Sequence, residues 1–279
     1  MIIKQTNIAN NTVVIPEWLD NYIFSELSAN YCRRNSDMVV LDWSKEEICS
    51  YLGTYFPRSY SESYCIFTNF LNKHSHIYES QKEISIFDLG CGTGGELIGF
   101  ITAVKENLPQ IRNINIIALD GNQHALRILE ELLDKVEQIT KINISSRLLP
   151  IVIEDFYDMD VVTSIIPNNL DFVITFKAIC EFVTRKQFED KNPYKHILET
   201  FFPKLANKGV ICIADVSSYN DVSNDWLPKM LDKASCIGNV NIIERNEGFN
   251  ESYYVCHSMK HSDLSKIAWR IYNVNNSII

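Results

Sequence analysis

The segment Asp88-Leu89-Gly90-Cys91-Gly92-Thr93-Gly94-Gly95 constrains the fold of this chain more than any other. It stands between a short apolar run, Ile84–Phe87, and the residues Leu97, Phe100, Ile101, Val104 and Leu108, which recur at helical spacing. A glycine loop that leaves a strand and opens a helix lets the backbone turn tightly and lets a ligand approach the main chain closely.

From residue 84 onward strand and helix patterns alternate. Ile114–Leu119, Leu149–Ile153, Phe172–Phe176 and Val210–Val216 are further strand candidates. Leu126, Leu129, Leu133 and Val136 mark one amphipathic helix. Ile197, Leu198, Phe201 and Leu205 mark another, which stops near Asn207 and Gly209. Val240–Glu244 and Tyr253–His257 read as two last strands, antiparallel to each other at one edge, and Ser262–Tyr272 as a terminal helix or edge strand with Trp269 packed inward. Such alternation implies βαβ units. The expected fold class is α/β, a doubly wound seven-stranded, mostly parallel, Rossmann-like sheet, with its ligand outside the carboxyl ends of the strands.

Residues 1–80 read differently. Ile48, Tyr51 and Leu52 share one helical face, Tyr64, Ile66, Phe67 and Phe70 another, and Phe56-Pro57 interrupts the region. The polar stretch Glu79–Glu83 marks a boundary, giving 1–80 as an N-terminal helical cap and 81–279 as the ligand-binding domain. The cap has too few strands for a sheet of its own, so burying Tyr51, Tyr55, Phe67 and Phe70 requires the main domain. It is expected to close over the carboxyl ends of the strands.

Gly90, Gly92 and Gly95 also match G-x-G-x-x-G, so the loop by itself leaves NAD and S-adenosylmethionine (SAM) both open. The acids separate them. Asp88 lies at the strand end, where a carboxylate would repel a pyrophosphate. SAM has no phosphate, and its sulfonium and α-ammonium are attracted by a carboxylate, directly or through water. Asp120, which ends Ile-Ile-Ala-Leu-Asp and precedes Gly121, can accept both ribose hydroxyls. Asp155, in Val-Ile-Glu-Asp-Phe, can accept the exocyclic amine of adenine, with Phe156 beside the ring. The competing reading makes the loop a plain βα turn and the acids helix caps.

Asp88–Gly94 resembles motif I of the class I SAM-dependent methyltransferases. Leu119-Asp120 is similar to their ribose-binding strand end and Glu154-Asp155-Phe156 to their adenine-binding acidic site, and the resemblance spans residues 84–216. It implies a seven-stranded fold with a reversed last hairpin, SAM as cofactor, and cofactor contacts from Asp88, Gly90, Gly92, Gly94, Asp120, Gly121, Asp155, Phe156 and Thr175. In this family the end of the fourth strand faces the methyl group, which puts Thr175, Phe176 and Lys177 on the acceptor side. Lys177 and Glu181 are the candidate catalytic groups, to orient or deprotonate an acceptor; Glu181 reads equally as a helix N-terminal acid. The Asn/Asp-Pro-Pro-aromatic tetrapeptide that serves amino-nitrogen acceptors is absent, and so is a Pro-Cys at this strand end. Cys180 reads as a thiol of the core or one standing behind the site, not as a nucleophile.

A second resemblance is weaker. Tyr55-Phe56-Pro57-Arg58-Ser59-Tyr60, taken with Cys180-Glu181-Phe182, is similar to the methyltransferase-like family of mitochondrial small ribosomal subunit assembly. The order here is Pro-Arg-Ser-Tyr, and that family's cysteine-rich metal segment is missing. The resemblance makes Arg58 and Tyr60 candidates to reach the carboxylate of SAM or to cover it. The alternative leaves Arg58 solvated and Tyr60 in the core.

Composition narrows the partners. Hydrophobic residues make up 46% of the chain, enough for a packed core. The formal net charge of -9 argues against sequence-independent grip on nucleic acid. The eight cysteines form no Cys-x-x-Cys pair, which points away from a metal site and toward a reducing cytosol. No apolar run suits a leader or a membrane span, so the expected location is cytoplasmic. The function expected is methyl transfer to an acceptor of unidentified class, small molecule, peptide or RNA. The alternatives are a catalytically inactive SAM-binding scaffold of the ribosome-assembly kind and, disfavoured by Asp88, an NAD-dependent oxidoreductase.

Overall fold

The computed structural model describes residues 6–32, 43–183, 191–221 and 224–274. Residues 1–5, part of the stretch read for a leader, lie outside the described residues. Along the chain run β1 (Thr12–Val14), α1 (Glu17–Asn21), α2 (Lys45–His74), β2 (Glu83–Leu89), α3 (Gly95–Asn107), β3 (Asn113–Asp120), α4 (Gln123–Thr140), β4 (Asn143–Pro150), α5 (Asp160–Ile165), β5 (Leu170–Phe176), α6 (Ile179–Phe182), α7 (Pro193–Phe201), β6 (Leu205–Asp215), β7 (Tyr219–Asn220), β8 (Asp225–Trp226), α8 (Leu227–Ala234), β9 (Val240–Arg245), β10 (Glu251–His257) and β11 (Lys260–Val274).

The main sheet is ordered β4-β3-β2-β5-β6-β11, with β9 also paired to β11. Strands β2 to β6 are mutually parallel, and β11 is antiparallel to both β6 and β9. These seven strands are the expected doubly wound sheet with its last strand reversed. The sheet also extends further. The first half of β11 pairs antiparallel with β10, and β1 lies parallel on the far side of β10.

Four sequence expectations need correction. Val240–Glu244 and Tyr253–His257 do not pair with each other; each pairs with β11. Ser262–Tyr272 is therefore neither a helix nor an edge but an interior strand, and Trp269 is buried as expected. Residues 267–273 are buried without a break, on both faces of the strand. The polar residues of this buried stretch are satisfied: Arg270 Nε donates to Asp232 Oδ1 at 2.7 Å, and Asn273 Nδ2 to the Gly209 carbonyl at 2.8 Å. The third parallel strand starts earlier than Leu149–Ile153. β4 is an edge strand whose exposed Ser145, Ser146 and Arg147 carry no apolar signal.

The fourth correction concerns α2, which runs through Pro57 without a break. It starts at a capping box in which Ser44 N donates to Glu47 Oε2 at 2.9 Å. Pro57 removes the hydrogen bond to the Gly53 carbonyl. Tertiary burial of Phe56, Tyr60, Phe67 and Phe70 outweighs that loss. Gly53 meets a second demand, since a Cβ there would stand 2.5 Å from the Asn30 carbonyl oxygen.

Helices cover both faces of the sheet. On one, Phe67 of α2 lies edge-on to Phe100 of α3 and Phe172 of β5, with ring centroids 4.9 and 5.9 Å away. On the other, Phe201 of α7 meets Phe87 of β2 at 5.2 Å. Residues on either side of position 80 share the first of these cores. Among the described residues no helix is long and apolar enough to cross a membrane.

Candidate functional site at the carboxyl ends of the parallel strands

The loop after β2 is stitched to β3. The amides of Gly90 and Cys91 donate to the Leu119 carbonyl at 2.9 and 3.0 Å. Asp120, the last residue of β3, accepts from the amide of Gly92 through Oδ2 and from that of Asn122 through Oδ1, both at 2.8 Å. Asn122 in turn caps α4, its Oδ1 accepting from His124 N and Ala125 N at 2.9 and 3.0 Å. Gly90, Gly92 and Gly94 have φ values of 76°, 48° and 80°. At Gly90 space matters as well as conformation: a Cβ would stand 2.4 Å from the Cβ of Ala178, in the loop after β5.

Above this loop lies a cavity of about 130 Å³. It brings together seven of the predicted residues: Gly90, Gly92, Asp120, Gly121, Phe176, Lys177 and Glu181. Asp88 and Thr175 lie beneath it, both buried, and neither carboxylate oxygen of Asp88 nor the Thr175 hydroxyl has a hydrogen-bond partner. Gly94 sits deeper in the turn, where a Cβ would meet Leu129 Cδ1 at 2.3 Å.

Four further predicted residues also lie outside that lining. Phe156 is buried behind the cavity wall, its ring stacked on Phe182 at 6.2 Å. Asp155 is exposed and its Oδ1 accepts from the amide of Tyr157 at 2.9 Å. Tyr60 is buried between α2 and α3, stacked on Tyr64 at 5.9 Å. Arg58 is buried in an ion pair, with Nε 2.7 Å from Asp263 Oδ2 and Nη2 2.9 Å from Oδ1. Cys180 is exposed rather than in the core. The cavity also uses residues that sequence reasoning did not assign to it: Tyr51, Ile151, Ile153 and Phe182. Tyr51 had one signal, its place four residues before Tyr55 on a helical face; its hydroxyl is 3.1 Å from where a Gly92 Cβ would be. Ile151 and Ile153 follow directly on β4 and were visible only as apolar residues.

The electrostatics are lopsided. Burial, then the charges of Glu96 and Asp120, hold the Asp88 carboxyl well above the usual carboxylate range. Burial pushes Glu96 up to about 8, against the opposing pull of its own backbone amide and Lys177. Asp120 is also raised by burial, although the Asn122 and Gly92 amides oppose the rise. Glu181 keeps solvent-exposed surface at the mouth, yet desolvation of its carboxyl, followed by Asp215 and Asp120, pushes it up to about 8. The cation is Lys177, whose Nζ is 2.7 Å from the buried Glu62 Oε2. Its backbone is left-handed, φ 57°, at the end of β5, a conformation that costs a non-glycine residue roughly 1–3 kcal/mol.

SAM fits this donor set. Asp88 is buried and unpartnered, a carboxyl that a nearby cationic ligand would draw back toward its ionised form. A carboxylate has about four acceptor positions, so Asp120 keeps room for ribose hydroxyls beside the two amides it holds. The glycine turn allows close approach.

No family model matches the chain, and no curated protein matches it in sequence. Solved structures are similar to it in fold. The precorrin-6y C5,15-methyltransferase of Geobacter metallireducens is 15% identical, with 76% of this chain and 87% of that one covered and a TM-score of 0.43. The rRNA methyltransferase of Streptomyces viridochromogenes is 13% identical, with 77% and 86% covered and a TM-score of 0.43. A coclaurine N-methyltransferase bound to N-methylheliamine and SAH is 11% identical, with 85% and 59% covered and a TM-score of 0.39. By its own strand order, parallel through β6 with β11 reversed, the chain adopts the Rossmann-like fold of the class I SAM-dependent methyltransferases.

Proposed function

We propose that the protein is a SAM-dependent methyltransferase. The observation that carries this reading is Asp88, a carboxyl buried without a partner beneath a glycine turn. Such a group is costly unless a ligand answers it, and a cation answers a carboxylate where a pyrophosphate would not. Asp120 would hold the ribose, and Ile151 and Ile153 would form an apolar wall for the adenine.

Bound there, SAM supplies a methyl carbon that bonds to an acceptor lone pair as the carbon–sulfur bond breaks, its electron pair returning to sulfur. The protein's part is alignment and exclusion of water. Lys177 is held at the mouth by Glu62 and can orient an acceptor. Glu181, with its carboxyl pushed up to about 8, can exchange a proton with an acceptor near neutral pH. All eight cysteines are free, which supports a reducing, cytosolic setting. Isothermal titration calorimetry tests the cofactor: SAM and S-adenosylhomocysteine (SAH) should bind and NAD should not. Heat from NAD with none from SAH would reverse the assignment.

A further inference from the structure

A second cavity, of about 510 Å³, adjoins the first. Lys177 lines both. So, in effect, does one aromatic pair: Tyr51 lines the first and Tyr55 the second, with their rings 5.1 Å apart. Lys177, at the end of β5, and the tyrosine pair therefore stand at the boundary between the two cavities.

Its lining is cationic in a chain whose formal net charge is -9. Arg58, Lys177, Lys260 and Lys266 line it, and the carboxylate among them is Asp263. Asp263 is saturated. It takes Nε and Nη2 of Arg58, Lys260 Nζ at 3.0 Å, the Tyr31 hydroxyl at 3.2 Å and the Leu264 amide at 3.0 Å. Arg58 and Lys260 both also donate to the Tyr31 oxygen, at 3.1 and 2.6 Å. Lys177 is paired to Glu62, behind the wall. Two carboxylates therefore stand against four cations, and Lys266 is exposed with no ion pair among the described residues.

We propose that this cavity is the acceptor pocket and that it takes a small acceptor bearing a carboxylate or a phosphate. The proposal rests on the SAM reading of the neighbouring cavity. Size favours a small molecule, since pockets of a few hundred cubic ångströms enclose ligands of that class. Charge favours an anion: Arg58, Lys260 and Lys177 are held in place by Asp263, Tyr31 and Glu62, so an incoming anion meets oriented donors, with Lys266 beside them. The bulk acidity of the chain repels a polyanion outside the pocket.

The probes are benzoate and phenyl phosphate, with benzamide as the neutral analogue of the same ring, titrated into the full chain with SAH present. At least one anion should bind and benzamide should not. A preference between the two anions identifies which group the acceptor carries. In Lys260→Gln/Lys266→Glu, and in the exposed single variant Lys266→Glu should the double variant fail to fold, anion affinity should fall, roughly tenfold in the double variant. SAH affinity should stay unchanged. The pocket assignment is overturned if the SAH-binding protein takes neither anion, if benzamide binds as well as they do, if the substitutions leave anion affinity unchanged, or if only an RNA oligonucleotide competes for the site. Failure to bind SAH would instead remove the cofactor reading, so the two failures are distinct.

Discussion

Asp120 Oδ2 accepts the amide of Gly92 at 2.8 Å, so the acid that ends β3 also holds the glycine turn that follows β2. One side chain thereby shapes the floor of the cavity and offers acceptors to whatever lies in it. Asp120→Ala removes both. A charged hydrogen bond is worth about 1.5–3 kcal/mol, so SAH affinity should fall by roughly tenfold to a hundredfold in calorimetry. Asp120→Asn, which keeps an acceptor oxygen for one amide, should lose less. A folded Asp120→Ala variant with unchanged SAH affinity would place the ligand elsewhere.

The buried acids make stability depend on pH in a set direction. Glu96 holds its proton up to about 8 in the folded protein, whereas in the unfolded chain it releases it near the ordinary glutamate value, about 4.3. Between those limits the folded state binds more protons. Stability is therefore fully present below the unfolded value and is lost as pH rises through about 8. Asp88 is raised too and acts in the same sense. The ligand-free protein should melt at a lower temperature at alkaline than at mildly acidic pH. Glu96→Gln should flatten that slope, with a gain at alkaline pH on the order of a few kcal/mol at most. Scanning calorimetry across this range decides it, and a melting temperature that climbs with pH would contradict the burial argument.

The first half of the site was legible because its signals are local. A strand, a glycine turn and a helix lie together in sequence, and Asp88 and Asp120 each end an apolar run. Asp155 read the same way but is exposed, since β4 ends at Pro150 and the chain leaves the sheet before reaching it. The apolar Ile151 and Ile153 line the cavity instead. Arg58 and Asp263 could not be paired from sequence. Their contact spans most of the chain and depends on β11 being an interior strand, which its mixture of Arg270 and Asn273 with apolar residues concealed. Pro57 misled for a related reason: local propensity opposes a helix there, and packing against α3 overrides it.

That packing is itself testable at Gly99. A Cβ there would stand 2.5 Å from the Tyr60 carbonyl oxygen and 3.0 Å from the Tyr64 amide nitrogen, both backbone atoms that cannot swing aside. Gly99→Ala should force α2 and α3 apart. Overpacking of this kind costs about 1–3 kcal/mol, which lowers the melting temperature by several degrees. Since Gly99 lies away from the cavity, SAH affinity of the folded variant should change little. A melting temperature equal to the parent's would mean that the helices are not in the contact described.

Tyr51 joins α2 to the glycine turn. Its hydroxyl approaches Gly92, and its ring packs against Tyr55 at 5.1 Å and Trp43 at 5.9 Å. The ring is half-buried and forms part of the cavity wall. A ligand in the cavity would bury it further and so tie the start of α2 to the sheet. Ligand binding stabilises the state that binds, so SAH should slow protease cleavage before residue 80. Tyr51→Phe keeps the ring and should keep most of this protection. Tyr51→Ala removes the wall, and it should lower SAH affinity by roughly tenfold, in line with the about 0.5–1.5 kcal/mol of an aromatic contact added to its buried area. It should also abolish the protection even when SAH is raised to saturation, because the link between ligand and helix is gone. Protection of Tyr51→Ala equal to that of the parent at saturating SAH would show that the ligand steadies α2 by some route other than this ring.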